Sequence, residues 1–164
     1  MFAEKKGKKM KRITQKELSA LIMDNKDGMY RLAFSILRND ADAQDAVSEA
    51  IVLAFEKCHQ LRKTSSAKSW LMQILVNSSK KIALQSNKYV LLENEIQYEQ
   101  AEEFKDDDMW ETVMELDEEF REVVVLYYYE QFSVREIGKM LRVPEGTVKS
   151  RLARAREKLL RIIG

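Results

Sequence analysis

The sequence holds little that breaks a helix. Its 164 residues include one Pro and five Gly, too few for the many turns of an all-β fold, so long helices are expected. Cysteine is nearly absent: Cys58 stands alone, which excludes an internal disulfide and suits a reducing cytoplasm. Histidine is equally scarce. His59 is the only one and lies beside Cys58, but neighbouring residues on a helix point apart and a metal site needs several convergent ligands. No metal and no cofactor are therefore expected. There is no Gly-rich phosphate loop, and any Ser/His/Asp set would have to use that one His, so no catalytic residue and no small-molecule substrate are expected. No apolar run approaches the ~20 residues of a membrane span. The basic start lacks the apolar stretch of a secretory signal. Net charge is also small, +1, but that total conceals a segregation.

Residues 61–88 hold Arg62, Lys63, Lys68, Lys80, Lys81 and Lys88 and no acid. Residues 93–122 are crowded with acids, with Lys105 and Arg121 their only cations. From residue 133 onward cations again outnumber the acids Glu136, Glu145 and Glu157. Two basic blocks separated by an acidic one point to two places that meet polyanions, although solvated helix faces carry charge as well. The division that follows is a basic tail over 1–13, expected to be disordered, in which Met10 is a second candidate start. A helical domain spans 14–87, an acidic linker 88–108, and a second helical domain 109–164. The fold class is all-α: two small helical domains on a string.

Thr14 and Glu17 form a capping-box pattern ahead of apolar residues at helical spacing, Leu18, Leu21, Ile22, Met29, Leu32, Ala33, Ile36 and Leu37. Asn39 or Asp40 caps a second helix, whose apolar face is Ala43, Ala46, Val47, Ala50 and Ala54. Residues 61–66 lack a period and form a loop. Ser65 or Ser66 then starts a third helix with Trp70, Leu71, Ile74, Leu75 and Ile82 inward, Trp70 as a core anchor. On that helix Gln73, Asn77, Lys80 and Lys81 share a polar stripe. Asp117 caps a later helix that buries Phe120, Val123, Val124, Tyr127 and Tyr128.

The sharpest local pattern lies over residues 132–160. Ser133 and Glu136 form a capping box. Residues 142–144 are a short break, and Pro144 suits the first turn of the next helix, where its missing N–H is unpaired anyway. Ile137, Leu141, Val143, Val148 and Leu152 are spaced to share a small core between two steeply crossed helices, with Gly138 where the backbones approach. This is the spacing of a helix-turn-helix, whose second helix enters the major groove of DNA. On that helix Val148, Leu152, Ala155 and Leu159 face inward, and Ser150, Ala153 and Arg154 face outward. Lys149 and Arg156 flank one side, Arg151 and Lys158 the other. Arg pairs bidentately with guanine, flanking cations suit phosphates, and Thr147 at the positive helix end can hold a phosphate.

These residues carry a family resemblance. The run Glu145-Gly146-Thr147-Val148-Lys149-Ser150-Arg151-Leu152-Ala153-Arg154-Ala155-Arg156 resembles the C-terminal, minus-thirty-five-reading domain of extracytoplasmic-function sigma factors, of the sigma-70 family. Some response regulators share a looser version of it. The first half is the discriminator. Tyr30-Arg31-Leu32-Ala33-Phe34, Asp42-Ala43-Gln44-Asp45-Ala46-Val47-Ser48-Glu49-Ala50 and Ser69-Trp70-Leu71-Met72-Gln73-Ile74-Leu75-Val76-Asn77 are similar to the polymerase-binding and promoter-melting domain of the same family.

The resemblance implies a bacterial subunit that binds core RNA polymerase and directs promoter-specific initiation, in a stress or cell-envelope response, and is not itself an enzyme. It implies that Asp45, Ser48 and Glu49 dock on the clamp helices of the largest polymerase subunit, and that the C-terminal domain meets the flap of the second-largest. The family commonly has Gln at the position of Ser48. It implies that the 61–67 loop holds a base flipped from the stack, at a cost of a few kcal/mol offset by pocket contacts. The next helix reads the minus-ten element, which assigns Arg62, Lys63, Lys68, Gln73, Asn77, Lys80 and Lys81 to that DNA. The family often has an acid where Lys80 and Lys81 stand. Thr147, Lys149, Ser150, Arg151, Arg154 and Arg156 fall to the minus-thirty-five element. An anti-sigma factor is the further partner implied, and the acidic linker is either a nucleic-acid mimic or a tether. The rivals are a stand-alone helix-turn-helix regulator and a nuclease using Asp106, Asp107 and Asp108.

Overall fold

The computed structural model describes residues 12–90 and 108–164, so most of the expected tail and linker lies outside the described residues. Seven α-helices make up the described chain: α1 Gln15–Leu37, α2 Asp40–Lys57, α3 Ala67–Val90, α4 Asp108–Met114, α5 Glu118–Val124, α6 Val134–Leu141 and α7 Glu145–Ile163. Helices α1, α2 and α3 pack on one another as a first unit, and α4 to α7 form a second.

Local chemistry starts these helices where it was expected to. Thr14 accepts from the Glu17 N–H at 3.1 Å, and Asn39 accepts from that of Asp42 at 2.9 Å. The expected tail ends earlier than residue 13. Ile13 is buried with Leu18, the two positions that bracket the cap in a hydrophobic staple, so burial fixes the entry to α1. Helix α2 buries Ala43, Ala46, Ala50 and Ala54 completely. An all-Ala face lets it approach α1 and α3 closely and costs no side-chain entropy on burial.

Helix α3 differs from a one-faced helix. Besides Leu71, Ile74 and Leu75 it buries Met72 and Val76, because it packs against α1 and α2 on one side and α6 on another. Trp70 is only partly buried. Helix α5 runs on into a π-helical turn, Val125–Tyr129, closed by the Glu130 N–H bonding Val125 O at 2.9 Å. The extra residue in that turn shifts the helical phase. It buries Val125 and Leu126 and turns Tyr128 outward, 49% exposed, where a regular helix would have buried it. Asp117 sits at the start of α5 without accepting a helix N–H; its carboxylate takes Lys158 instead, at 3.3 Å.

The two units touch. Arg121 of α5 is buried and donates from Nε to Ser35 O of α1 at 2.8 Å and from Nη1 to Leu116 O at 2.7 Å. Ser35 lies in the last turn of α1, where carbonyls lack helical partners and the dipole is negative, and no basic residue of α1 itself is there.

Candidate nucleic-acid interface

The helix-turn-helix forms as its spacing predicts. Ser133 and Glu136 make a reciprocal capping box, each side chain bonded to the other's backbone N–H at 3.1 Å. Helix α6 ends at Arg142 in the left-handed region, φ 57°, and the Val143 N–H returns to Gly138 O at 3.0 Å. A Cβ on Gly138 would lie 2.9 Å from Val143 O, so only glycine lets this tight return form. Pro144 is the residue flanking α7 and not its first helical residue; its carbonyl accepts from Thr147 N at 3.0 Å and Val148 N at 3.2 Å. Val148, Leu152 and Ala155 are buried against Ile137 and Leu141, each of the larger ones contributing about 1.5–3 kcal/mol.

That core fixes the outer face of α7. Lys149, Ser150, Ala153, Arg154 and Arg156 are exposed, and Thr147 is half-buried at the helix start. Ser150 donates to Thr147 O at 3.1 Å and Arg156 Nε to the Tyr128 hydroxyl at 2.8 Å. The other flank faces α5. Arg151 is 3.8 Å from Glu119, and Lys158 lies 4.7 Å from the Phe120 ring centre as well as against Asp117. The open cationic face is thus Lys149, Arg154 and Arg156, while Arg151 is shared with a carboxylate.

The second basic surface is built on the 61–67 loop and α3. Arg62 and Lys63 are exposed. The loop's serines, Trp70 and Gln73 surround a cleft of about 440 Å³, whose opposite wall is Glu136, Lys139 and Met140 of α6. A second cavity of about 480 Å³ is lined by Arg12, His59 and Arg62. No periodic spacing marks Arg12 and His59 as neighbours of Arg62. Asn77 is exposed. Lys68, Gln73 and Lys80 are half-buried. Lys68 donates to Glu130 O at 3.4 Å and lies 5.1 Å from the Phe132 ring centre, and Lys80 Nζ sits 3.4 Å from Glu122. Burial holds the Glu122 carboxyl above its ordinary value of 4.5, with Lys80 opposing that shift and Glu118 adding to it.

On α2, Asp45 and Ser48 are exposed and Glu49 is half-buried, on the face opposite the alanines. Glu49 pairs with Lys81 at 3.1 Å, so the carboxylate strip and the α3 stripe share an edge. Among the described residues no cluster of His, Cys, Asp or Glu is arranged to hold a metal ion. Asp106 and Asp107 lie outside the described residues.

Comparison with known proteins places this geometry. Residues 21–87 match the sigma-70 region 2 family, and residues 106–159 match sigma-70 region 4. RNA polymerase sigma factor SigV of Bacillus subtilis is 32% identical over 94% of this chain and 95% of its own length. The chain belongs to the extracytoplasmic-function group of the sigma-70 family. SigW of the same organism, an ECF RNA polymerase sigma factor, is 28% identical over 97% of this chain and 95% of its own. Among solved structures, the sigma factor RpoE of Bartonella quintana, in complex with the anti-sigma factor NepR, superposes with a TM-score of 0.77 at 21% identity, over 90% of this chain and 97% of that one. As a sigma factor the chain directs transcription initiation with core RNA polymerase at promoter DNA. Region 2 matches α1 to α3, and this sets aside the stand-alone helix-turn-helix regulator, which would need only the second unit. No described helix is long and apolar enough to cross a membrane.

Proposed function

We propose that this sigma factor reads two promoter elements with two separate surfaces and meets polymerase with a third. Helix α7 enters the major groove at the minus-thirty-five element, with Arg154 over base edges and Thr147, Lys149, Ser150, Arg151 and Arg156 on the backbone or its margin. The 61–67 loop and α3 serve the minus-ten element. Arg62, Lys63, Lys68, Lys80 and Lys81 track phosphates, Gln73 and Asn77 meet bases, and the cleft beside Trp70 takes an unstacked base. Asp45, Ser48 and Glu49 dock on basic side chains of the clamp helices, and the second unit meets the polymerase flap. The functional division is 14–87, a linker over 88–108, and 109–164. The chain works in the cytoplasm, and its activity is held in check by an anti-sigma factor, a partner that the RpoE structure contains for that protein.

The observation that carries the reading is the outward face of α7. A rigid buried core presents Lys149 and Arg154 to solvent, and neither is tied into an ion pair among the described residues. Pull-down with core polymerase tests the docking strip. Asp45→Lys should weaken association about ten-fold or more, as a reversed charge would at a complementary interface; unchanged association would remove the strip from the interface.

A further inference from the structure

Two buried apolar residues bring three basic side chains together in the first unit. Ile13 is buried just ahead of α1 and so places Arg12. Leu61 is buried just past the 3-10 turn Cys58–Gln60, its N–H bonding Cys58 O at 3.2 Å, and so places Arg62 after it and His59 before it. Arg12, His59 and Arg62 line the cavity of about 480 Å³, and Gln60 and Leu61 complete its wall with no carboxylate among them. None of the three basic residues makes an ion pair or a side-chain hydrogen bond among the described residues. Lys68, Lys80, Lys81 and Arg151, by contrast, each have a partner. Along the chain no acid occurs between Glu4 and Glu17. Two guanidinium groups held over one cavity repel each other when no opposite charge stands between them. The fold keeps that repulsion, and an anion would relieve it.

We propose that this cavity seats a phosphate of the promoter strand, the next one along from the base held in the cleft beside Trp70. The proposal rests on the assignment of that cleft to the minus-ten element. Gln60, Leu61 and Arg62 line both cavities, so the two are contiguous. A base drawn out of the stack carries a phosphate on each side, and Arg62 stands where the strand leaves the cleft. Arg12 and His59 take the phosphate that follows. Each guanidinium offers N–H donors in a fixed fork, His59 donates from a ring nitrogen, and the Gln60 amide adds further N–H groups. A phosphodiester accepts from these donors whatever base it carries, so the contact sets the register of the strand and reads no sequence. A free phosphate offers the same oxygens but draws nothing from the cleft. Continuity with the cleft is what assigns the cavity to a strand.

The test uses core polymerase carrying the full chain. Fluorescence anisotropy follows a labelled non-template single strand from a promoter that this holoenzyme transcribes. Arg12 and His59 are exposed, so replacing either by Ala should leave the melting temperature of the chain within about 2 °C of the parent. Arg12→Ala should weaken strand binding about three- to ten-fold, between the effect of an exposed ion pair and that of a charged hydrogen bond. The factor should be the same for strands of different minus-ten sequence. The slope of log affinity against log salt should become shallower by about 0.7, the share of one phosphate on a single strand. His59→Ala should weaken binding in the same sequence-independent way, and Arg12→Lys should restore it, because a phosphate takes either cation. Neutral methylphosphonate linkages, walked along the strand one at a time, should find one position beside the flipped base that weakens binding to the parent and has no effect on the Arg12→Ala chain. If no linkage behaves so, the strand assignment is overturned. If, in addition, inorganic phosphate at matched ionic strength raises the melting temperature of the parent and not of Arg12→Ala, the cavity holds a free anion instead. Asn77→Ala on the same strands reads the minus-ten surface separately. Altered base preference there with no effect of Arg12→Ala removes only the phosphate seat, whereas unchanged base preference removes the surface assignment beneath it.

Discussion

Replacing Arg121 by Met removes a guanidinium that joins the two units while keeping most of its apolar stem. Two of its hydrogen bonds reach carbonyls, Ser35 O at 2.8 Å and Leu116 O at 2.7 Å, and the residue is buried. Hydrogen bonds from a charged donor contribute about 1.5–3 kcal/mol each, giving about 3–6 kcal/mol for the two. Relief of burying the cation returns part of that, so the net loss is about 2–4 kcal/mol. The larger share comes from Ser35, because its carbonyl lies in the last turn of α1 and α1 supplies no cation of its own there. For a chain of this size each kcal/mol shifts the melting temperature by about 2–4 °C, so thermal unfolding followed by circular dichroism should fall by roughly 5–15 °C. A shift under about 2 °C would refute the reasoning that Arg121 caps α1.

Other outcomes follow from the same geometry. The folded chain holds the Glu122 proton to higher pH than the unfolded chain, because burial raises that carboxyl above 4.5 against the pull of Lys80 and Arg151 and with the push of Glu118. Stability at this site is therefore full below about 4.5 and declines as pH rises through the folded value; Glu122→Gln should flatten that decline in denaturant titrations run across pH, and an unchanged slope would contradict it. Ser133→Ala should cost about 1 kcal/mol by removing the α6 capping box, seen as a lower urea midpoint. Leu152→Ala, at 2% exposure, should cost about 2–5 kcal/mol and loosen α7, so that upstream-element use falls with stability. Arg154→Ala should leave the unfolding free energy from urea titration within about 0.5 kcal/mol of the parent, since the side chain is exposed.

Much of the fold is legible because it is local. Asn39 and Ser133 announce helix starts through side-chain caps whose partners lie three residues away, and the alanine face of α2 and the core of α6–α7 follow the helical period. The exceptions share a cause. Met72 and Val76 look like off-face residues until α6 supplies a second packing partner for α3. Tyr128 leaves the core because a π-turn changes the period, and nothing in the spacing of apolar residues marks that turn. Ile13 is held by the cap beside it even though it follows a run of lysines. For the candidate interface, which cations share a helix face was readable and their partners were not. Lys68, Lys80 and Arg151 share a stripe or a flank with exposed residues, yet each meets a group of a different helix or turn, contacts that no short-range pattern encodes. Arg31 with Glu130, far apart in sequence, belongs to the same class.

The most direct test of the two-surface account is transcription by core polymerase carrying this chain on a promoter library randomised separately at the upstream and the downstream element. The account predicts that Arg154→Ala changes base preference at the upstream element alone, by about 1–3 kcal/mol at one position, and that Asn77→Ala changes it at the downstream element alone. Identical preferences for all three chains, or the same shift at both elements, would contradict it.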